Sequence, residues 1–374
     1  MSYVDLFIAI GFLLLSGGVA VAVAYGVKTA LANVGETLAS AASLAAFTVV
    51  FIAIMYFRYP GFAVGLIYVV VVMICCGIVA WIFREILRQT MPEVIAKPAR
   101  QAPLTASFGV LVILLYIIFS VGAPILAPYG EAQVFEKSLL LPGDDPAFWL
   151  GTDQIGRDIL SRLIYGARNT VGIALVTTIL AFVLGASLGF LAATVGGWLD
   201  QLLSRIVDVM MSIPQLIFAL LIITIVGQST INMILVIAVL DSTRVFRLAR
   251  AVGLNIVVMD YIEAAKLRGE GLGHLIFKEI LPNATAPLLA EFGLRFCFVF
   301  LLIAALSFLG LGIQPPLADW GSMVRDLAQF INFATFAPAA AALPLMAAGA
   351  IALLTVAVNF VVDWMLHRSS GLME

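Results

Sequence analysis

About nine apolar runs, each close to the length of a membrane-spanning helix, dominate the sequence. A helix needs about 20 mostly apolar residues to cross a bilayer. The runs cover residues 4–27, 38–57, 61–83, 106–128, 169–194, 206–227, 231–247, 291–313 and 338–366. Only 11 % of the residues are charged, whereas an ordinary soluble domain has about 25 %. The pattern predicts an all-α polytopic integral membrane protein, in which 231–247 is the shortest span.

A charged linker with three prolines, residues 84–105, divides the chain. Three apolar runs with few polar features precede it, and about six runs with all of the longer loops follow it. We therefore predict an accessory N-terminal transmembrane module at 1–98 and a working core at 99–374.

Basic residues predict the orientation, because Lys and Arg in short loops resist translocation. Most of the 20 lysines and arginines fall on one side when nine spans are threaded alternately through the membrane. That side holds the 84–105 linker and a long loop at 248–290, which we predict to be cytoplasmic. Loops 129–168 and 314–337 are then outside. The N-terminus is expected outside, at the start of an uncleaved first helix, and the C-terminus inside.

Composition and motifs exclude several functions. A net charge of −2 argues against nucleic acid as a partner, because neutralising phosphates requires clustered Lys and Arg. The sequence has neither a Walker-type phosphate loop nor GxGxxG, so it offers no ATP site of its own. The three cysteines lie in apolar runs and are interpreted as small buried hydrophobes. We predict no catalytic or metal-ligating residues, and we place Asp208, Asp241 and Asp363 near cytoplasmic helix ends, where water solvates them.

Three local features predict details of the core. Gly185 and Gly189 are one helical turn apart, a spacing that lets two helix backbones approach closely. Pro214 removes a backbone donor and predicts a bend within the span 206–227. Trp149 and Trp320, in the two outside loops, suit a membrane interface that keeps the indole N–H in water.

The strongest local signal is "YIEAAKLRGEGLGHLIFKEILPN", residues 261–283. It predicts a helix, a glycine-rich turn and a second short helix, after which Leu281-Pro282-Asn283 turns the chain back to the membrane. Ala264 and Ala265 would leave a low surface on which another protein's backbone could sit. Two interpretations fit these residues, a rigid lever against a soluble partner and an amphipathic loop on the lipid surface.

Four stretches carry a family resemblance. "EAAKLRG" followed by "LPN" is similar to the EAA loop of ATP-binding-cassette importer permeases. "LGTDQIGRDILSRLIYGAR", "GGWLDQLLSRIVDVMMSIPQLIFAL" and "SFLGLGIQPPLADWGSM" resemble further stretches of the dipeptide/oligopeptide/nickel branch, in the same order along the chain. The chain thus resembles a C-type subunit of this branch. The resemblance implies the type I importer transmembrane-domain fold of about six core helices, here with about three extra N-terminal helices.

The resemblance also implies a function. The chain would form half of a pore for peptides or peptide-like solutes in the bacterial inner membrane, in contact with membrane lipid. Its implied partners are a homologous B-type permease subunit, two cytoplasmic ATPase subunits that bind the ATP and Mg, and a periplasmic or lipid-anchored solute-binding protein. This chain would bind no cofactor and would not itself be an enzyme.

Site residues carried over from the family fall into two groups. Coupling to the ATPase is assigned to Glu263, Ala264, Ala265, Gly269, Leu281 and Pro282. Contact with the binding protein is assigned to Asp153, Arg157, Asp158 and Trp320, with the alternative that these residues only brace their loop.

Two departures and two rival functions stay open. Position 279 is Glu, where the branch usually has His, and residues 1–98 fall outside the resemblance. A secondary ion-coupled transporter of small solutes would instead predict charged pairs inside the membrane and inverted repeats. A scaffold or receptor would leave the EAA loop unexplained. The sequence does not distinguish a dipeptide from an oligopeptide, a metal chelate or a peptide antibiotic as substrate.

Overall fold

The computed structural model describes residues 60–90, 102–333 and 338–369, together with short pieces between residues 20 and 50. The chain divides into two compact units, Met1–Ile82 and Phe83–Glu374. Helix α1, Pro60–Thr90, contains the predicted run 61–83. The first two predicted runs, 4–27 and 38–57, lie largely outside the described residues. The predicted module boundary at residue 98 stays a prediction.

The second unit is built from helices. Their bounds are α2 Leu104–Leu126, α3 Ile159–Val195, α4 Gly197–Met211, α5 Gln215–Val226, α6 Thr230–Val257, α7 Asp260–Leu267, α8 Leu272–Phe308, α9 Trp320–Leu327 and α10 Pro338–Ser369. Short π-helical segments, Ala167–Val171 and Leu275–Ile280, lie within α3 and α8. Within the described ranges, the β structure recorded is one bridge between Thr152 and Asp158. The prediction of an all-α protein is confirmed.

Four helices of the described residues are long and apolar enough to span a membrane, α2, α3, α8 and the Ala340–His367 part of α10, and the bent pair α4–α5 could add a fifth. The helix α6 is also long, at 28 residues. Its Asp241, Arg244, Arg247 and Arg250 set it apart from the apolar helices. The run 231–247 therefore belongs to a longer and more polar helix than predicted.

The main buried core lies where α2, α3, α5, α6, α8, α9 and α10 meet. Its largest fully buried side chains include Phe300, Ile303 and Leu306 of α8. Cys297 of α8 is buried, as predicted, whereas Cys75 of α1 is exposed. A second cluster joins α3, α6, α7 and the first turns of α8. The short helix α7 is thus packed against the ends of three longer helices.

Helices α3 and α6 pack closely at the predicted glycines. A β-carbon at Gly185 would lie 2.5 Å from the carbonyl oxygen of Ser242, and one at Gly189 would lie 2.7 Å from the carbonyl oxygen of Phe246. Both distances are below any ordinary van der Waals contact. Farther along α6, a β-carbon at Gly253 would lie 2.8 Å from Cβ of Ala193. The prediction of close helix packing at Gly185 and Gly189 is confirmed.

Gly189→Ala is expected to destabilise the fold, because the methyl group would press on main-chain atoms that cannot move aside. Overpacking of this kind typically costs about 1–3 kcal/mol. The control is Gly172→Ala in the same helix, where no described atom lies within 4 Å of the new methyl group. Thermal unfolding of the detergent-solubilised chain should show a lower midpoint for Gly189→Ala alone. Equal midpoints for both variants would contradict the packing described above.

The predicted span 206–227 is wrong as a single helix. The chain breaks at Ser212–Pro214, and α4 and α5 meet at 91°. Pro214 has no N–H to donate and also disfavours helical geometry at Ile213 before it. Ion pairs hold α4 against α6, with Arg247 2.8 Å from Asp208 and Arg250 paired with Asp200. The proline therefore separates two helices, where the sequence predicted a bend in one.

The predicted turn at Leu281-Pro282-Asn283 is also wrong. The chain is helical from Leu272 to Phe308, and Pro282 lies within its first turns after the π-helical segment. A proline near the start of an α-helical segment removes few hydrogen bonds, because the first N–H groups have no partner within that segment. The second short helix predicted for residues 274–280 is therefore the beginning of α8.

Candidate functional site

The short helix α7 shows one face to solvent and buries the other. Ile262 and Ala265 are fully buried, and Ile262 belongs to the cluster shared with α3, α6 and α8. Glu263 and Ala264 are exposed. Ala264 lies three residues from both Tyr261 and Leu267, which are exposed apolar side chains on the same face. The low surface predicted for both alanines therefore belongs to Ala264, because Ala265 faces the protein.

Gly269 ends α7 in a conformation that favours glycine. Its φ is +80°, and the N–H groups of Gly269 and Glu270 bond to the carbonyl groups of Lys266 and Ala265 at 2.9 and 3.2 Å. This pair of hydrogen bonds defines a Schellman cap. A β-carbon at Gly269 would meet no described atom within 4 Å. The glycine is therefore required by backbone geometry, and a docked partner has free access to the turn.

Glu279, which departs from the family pattern, is held by a histidine. His274 Nε2 lies 3.5 Å from Glu279 Oε1, and His274 Nδ1 lies 3.4 Å from Glu270 Oε2. The imidazole thus bridges the turn after α7 and the π-helical segment of α8. Leu281 is half-buried and Pro282 is exposed just beyond it. The assigned coupling residues therefore lie along α7, its cap and the start of α8.

In the loop 129–168, which the sequence predicts to lie outside, Asp153 is buried and hydrogen-bonded within the loop. Its Oδ1 accepts from the N–H of Arg157 at 2.9 Å, and its Oδ2 accepts from Nε of Arg157 at 2.6 Å. Asp158 caps α3, accepting from the N–H and the hydroxyl of Ser161 at 2.7 and 2.6 Å. These bonds fit the bracing alternative, because both carboxylates already have partners in the loop.

Trp320 is not at an interface, so that prediction is wrong. It is only 2 % exposed, and its indole N–H donates to the carbonyl of Leu163 at 3.0 Å. Its ring makes edge contacts with Tyr116 and Phe300. The indole N–H of Trp320 has its hydrogen-bond partner inside the protein, so it does not need contact with water. Trp149, by contrast, is 74 % exposed.

Two acidic residues that the sequence analysis did not single out join the outer loops. Glu131 Oε2 accepts from the side chain of Asn169 and from the N–H of Ala318, at 2.9 and 3.0 Å. Asp319 caps α9 and accepts from the hydroxyl of Thr170 at 2.9 Å. Burial raises the pKa of the Asp319 carboxyl above its usual range. No local motif marks either residue, because their partners are more than 100 positions away in sequence or across the loop.

The prediction that Asp241 is solvated near a helix end is wrong. Asp241 is fully buried, and Arg295 of α8, only 8 % exposed, lies 3.9 Å from it. The sequence predicts Asp241 near a helix end because the apolar run 231–247 is shorter than the helix α6 that contains it. With the observed bounds, Asp241 and Arg295 each lie near the middle of their helices. Asp208 and Asp363 are exposed, as predicted.

Residues 185–370 match the family described as "Binding-protein-dependent transport system inner membrane component". The dipeptide transport system permease protein DppC of Haemophilus influenzae is 37 % identical over 236 residues, which cover 62 % of this chain and 80 % of the relative. The di/tripeptide permease DppC of Pseudomonas aeruginosa is 38 % identical, with 60 % and 76 % covered. The glutathione permease GsiD of Pectobacterium atrosepticum is 33 % identical, with 58 % and 72 % covered.

The helices and the family match define a multi-pass membrane permease with the type I importer transmembrane-domain fold. The chain belongs to the family of binding-protein-dependent transport system inner membrane components. As a member of that family it works together with other subunits. The family resemblance found in the sequence is confirmed.

Proposed function

We propose that this chain is a permease subunit of an ATP-driven peptide importer and forms half of its translocation pore. The observation that carries the proposal is the exposed face of α7, which is joined through one glycine cap to a membrane-spanning helix. The names of the relatives, which include permeases for dipeptides, di/tripeptides and glutathione, support a peptide class of substrate. The other half of the pore would be a homologous B-type permease subunit.

The coupling surface is the exposed face of α7 with its cap, which comprises Glu263, Ala264 and Gly269. Small Ala264 between exposed Tyr261 and Leu267 suits the close approach of a cytoplasmic ATPase. Leu281 and Pro282 extend the same element at the start of α8. In this proposal two ATPase subunits bind ATP and Mg, and this chain binds neither. Buried Ala265 and Ile262 then transmit the movement of α7 to α3, α6 and α8.

The outer loops would receive a periplasmic or lipid-anchored binding protein. Asp153, Arg157, Asp158 and Trp320 would serve by fixing the loop shape, and exposed Trp149 and Ile155 would make the contact. A direct contact by the four assigned residues would require the loop to open. This arrangement implies an outside N-terminus and a cytoplasmic C-terminus in the bacterial inner membrane.

One observation favours the alternative of a secondary ion-coupled transporter. That hypothesis predicts charged pairs inside the membrane, and Asp241 forms a charged pair with Arg295 of α8. Charged residues within spans often mark ion pathways. The two readings differ in what drives uptake.

The deciding experiment is uptake of a radiolabelled dipeptide into proteoliposomes that contain this chain with its permease and ATPase subunits. The binding protein is added outside and ATP is enclosed on the ATPase side. We expect uptake only with ATP, unaffected by ionophores that dissipate proton and sodium gradients. Uptake driven by an ion gradient without ATP would establish the alternative instead.

A further inference from the structure

Four charged side chains and one ring form a cluster between α6 and α8. Arg295 Nε lies 2.7 Å from Oε1 of Glu291, and its NH1 group lies 3.9 Å from Oδ1 of Asp241. The guanidinium groups of Arg295 and Arg244 lie 4.6 and 6.0 Å from the centre of the Phe298 ring. Phe298 is half exposed, so the cluster extends from the fully buried Asp241 to the surface of α8.

The cluster lies well inside two long helices, α6 and α8, away from the ends of both. At 1.5 Å per residue, Asp241 is roughly 16 Å from the first residue of α6 and roughly 24 Å from its last. Arg295 lies well inside α8, which is among the helices long and apolar enough to span the membrane. Ionisable side chains at this depth are costly, and they commonly mark the pathway of a substrate or ion.

Within the part of the chain that the structure describes, several buried polar atoms of the cluster lack a well-directed hydrogen bond. The Asp241 carboxylate has Gln215 as a neighbouring hydrogen-bond donor, but neither of its oxygens receives a well-directed hydrogen bond from the described residues. Nε and NH1 of Arg295 likewise make no well-directed hydrogen bond there. A buried ion pair that serves stability needs good geometry and satisfied hydrogen bonds to offset its desolvation cost. This pair is separated by 3.9 Å and lacks them. Stability alone is therefore a weak explanation for it.

A cavity at the α4–α5 break touches the cluster at Arg244. It has a volume of about 120 Å³ and is lined by residues around the α4–α5 break, among them Pro214 and Gln215, and by Leu240 and Arg244 of α6. Gln215 is also a hydrogen-bonding neighbour of the Asp241 carboxylate, and Arg244 acts on that carboxylate through its charge. This volume has room for only a few water molecules, so a larger solute would enter only if α5 moved away from α6.

We propose that this cluster is a mid-membrane binding site for zwitterionic short peptides, in which Asp241 and Glu291 take the ammonium end and Arg295 and Arg244 take the carboxylate end. The site carries two negative and two positive groups, so a zwitterion enters without adding net charge to the membrane interior. Its two ends would supply the hydrogen bonds that the cluster lacks. This inference rests on the proposed function and names where in the pore the peptide is held.

The first test uses the uptake assay described above on Asp241→Asn and Arg295→Gln, together with the apolar pair Asp241→Leu with Arg295→Met. Loss of a charge-assisted hydrogen bond should lower dipeptide uptake about 10-fold or more in each. Assays run well below each variant's unfolding midpoint separate lost binding from lost folding. The control is Arg205→Gln, which removes an exposed charge from α4 and should leave uptake unchanged. If the double variant Asp241→Leu with Arg295→Met takes up dipeptide at the wild-type rate, the ion pair is only structural and the proposed binding site is wrong.

The second test needs no binding protein. Saturation-transfer NMR on the complex in nanodiscs reports weak binding of Ala-Phe, N-acetyl-Ala-Phe and Ala-Phe-amide. We expect Asp241→Asn to reduce the Ala-Phe signal to that of the acetylated peptide, and Arg295→Gln to reduce it to that of the amide. Equal signals in wild type and variants, or no Ala-Phe signal from wild type, would overturn the inference. Failed dipeptide uptake by the wild-type complex would instead overturn the proposed function.

Discussion

Ala264→Arg is expected to abolish the stimulation of ATP hydrolysis by the loaded binding protein, while the chain still folds and inserts. Ala264 is exposed between Tyr261 and Leu267 and has no packing role within the described residues. A long charged side chain there would hold the ATPase away from α7 without disturbing the buried face. A loss of about 1.4 kcal/mol in docking corresponds to a tenfold loss of assembly. We expect stimulated hydrolysis to fall by at least about that factor.

The measurement is ATP hydrolysis by the purified complex, with and without binding protein and peptide. Ala251→Arg is the matched control, because Ala251 is an exposed alanine of α6 close to Arg247 and Arg250. It should retain stimulation. Ala265→Arg should instead lower the thermal stability of the isolated chain, since that side chain is fully buried. Full stimulation of Ala264→Arg would remove α7 from the coupling surface.

Trp320→Ala is expected to cost about 3–5 kcal/mol of folding free energy, as is usual for truncating a buried aromatic residue. The indole fills the space between α2, α3 and α8, and it satisfies the carbonyl of Leu163. Its removal leaves that cavity and that carbonyl without a partner. The loops around α9 should therefore loosen together with the outer end of the bundle.

Trp149→Ala is the matched control, because the same residue type is highly exposed there. It should change the free energy of unfolding by less than about 0.5 kcal/mol and should instead weaken binding of the solute-binding protein. Thermal unfolding and binding-protein affinity are measured for both variants. A stable Trp320→Ala chain with impaired affinity would reverse the roles given to the two tryptophans.

The apolar runs predicted most of the described helices, because a long uninterrupted run has few structures available in a bilayer. Helix ends were less predictable. The start of α8 carries charges and a proline that are typical of a loop, yet Ile276 and Ile280 keep it helical by packing against α7. At Pro214 the sequence correctly predicted the position of the bend but underestimated its size. The 91° break is accompanied by ion pairs between α4 and α6 that no local pattern reveals.

The assignment of Glu263, Ala264, Ala265 and Gly269 to coupling could be made from the sequence because these residues lie in one short stretch, and it stays a prediction. The cluster between α6 and α8 was missed because Asp241 and Arg295 are 54 positions apart and their depth depends on helix ends. The sequence does show charged residues inside apolar runs. Because the predicted helices are too short, however, these residues were expected at helix ends, in contact with water. Trp320 was misjudged for a similar reason, since the acceptor of its N–H, Leu163, lies in a distant helix.

The close crossing of α3 and α6 also limits how this sequence can drift over evolutionary time. At Gly185 and Gly189 the obstructing atoms include the main-chain carbonyl groups of Ser242 and Phe246, which every amino acid possesses. A larger residue at either glycine therefore has no compensating substitution on the opposite helix. At Gly253 the nearest atoms belong to the side chains of Ala193 and Phe190, and a smaller partner there could accommodate the change. Among descendants of this sequence, replacement of Gly253 should thus arise with second-site changes, whereas the other two glycines have no such route.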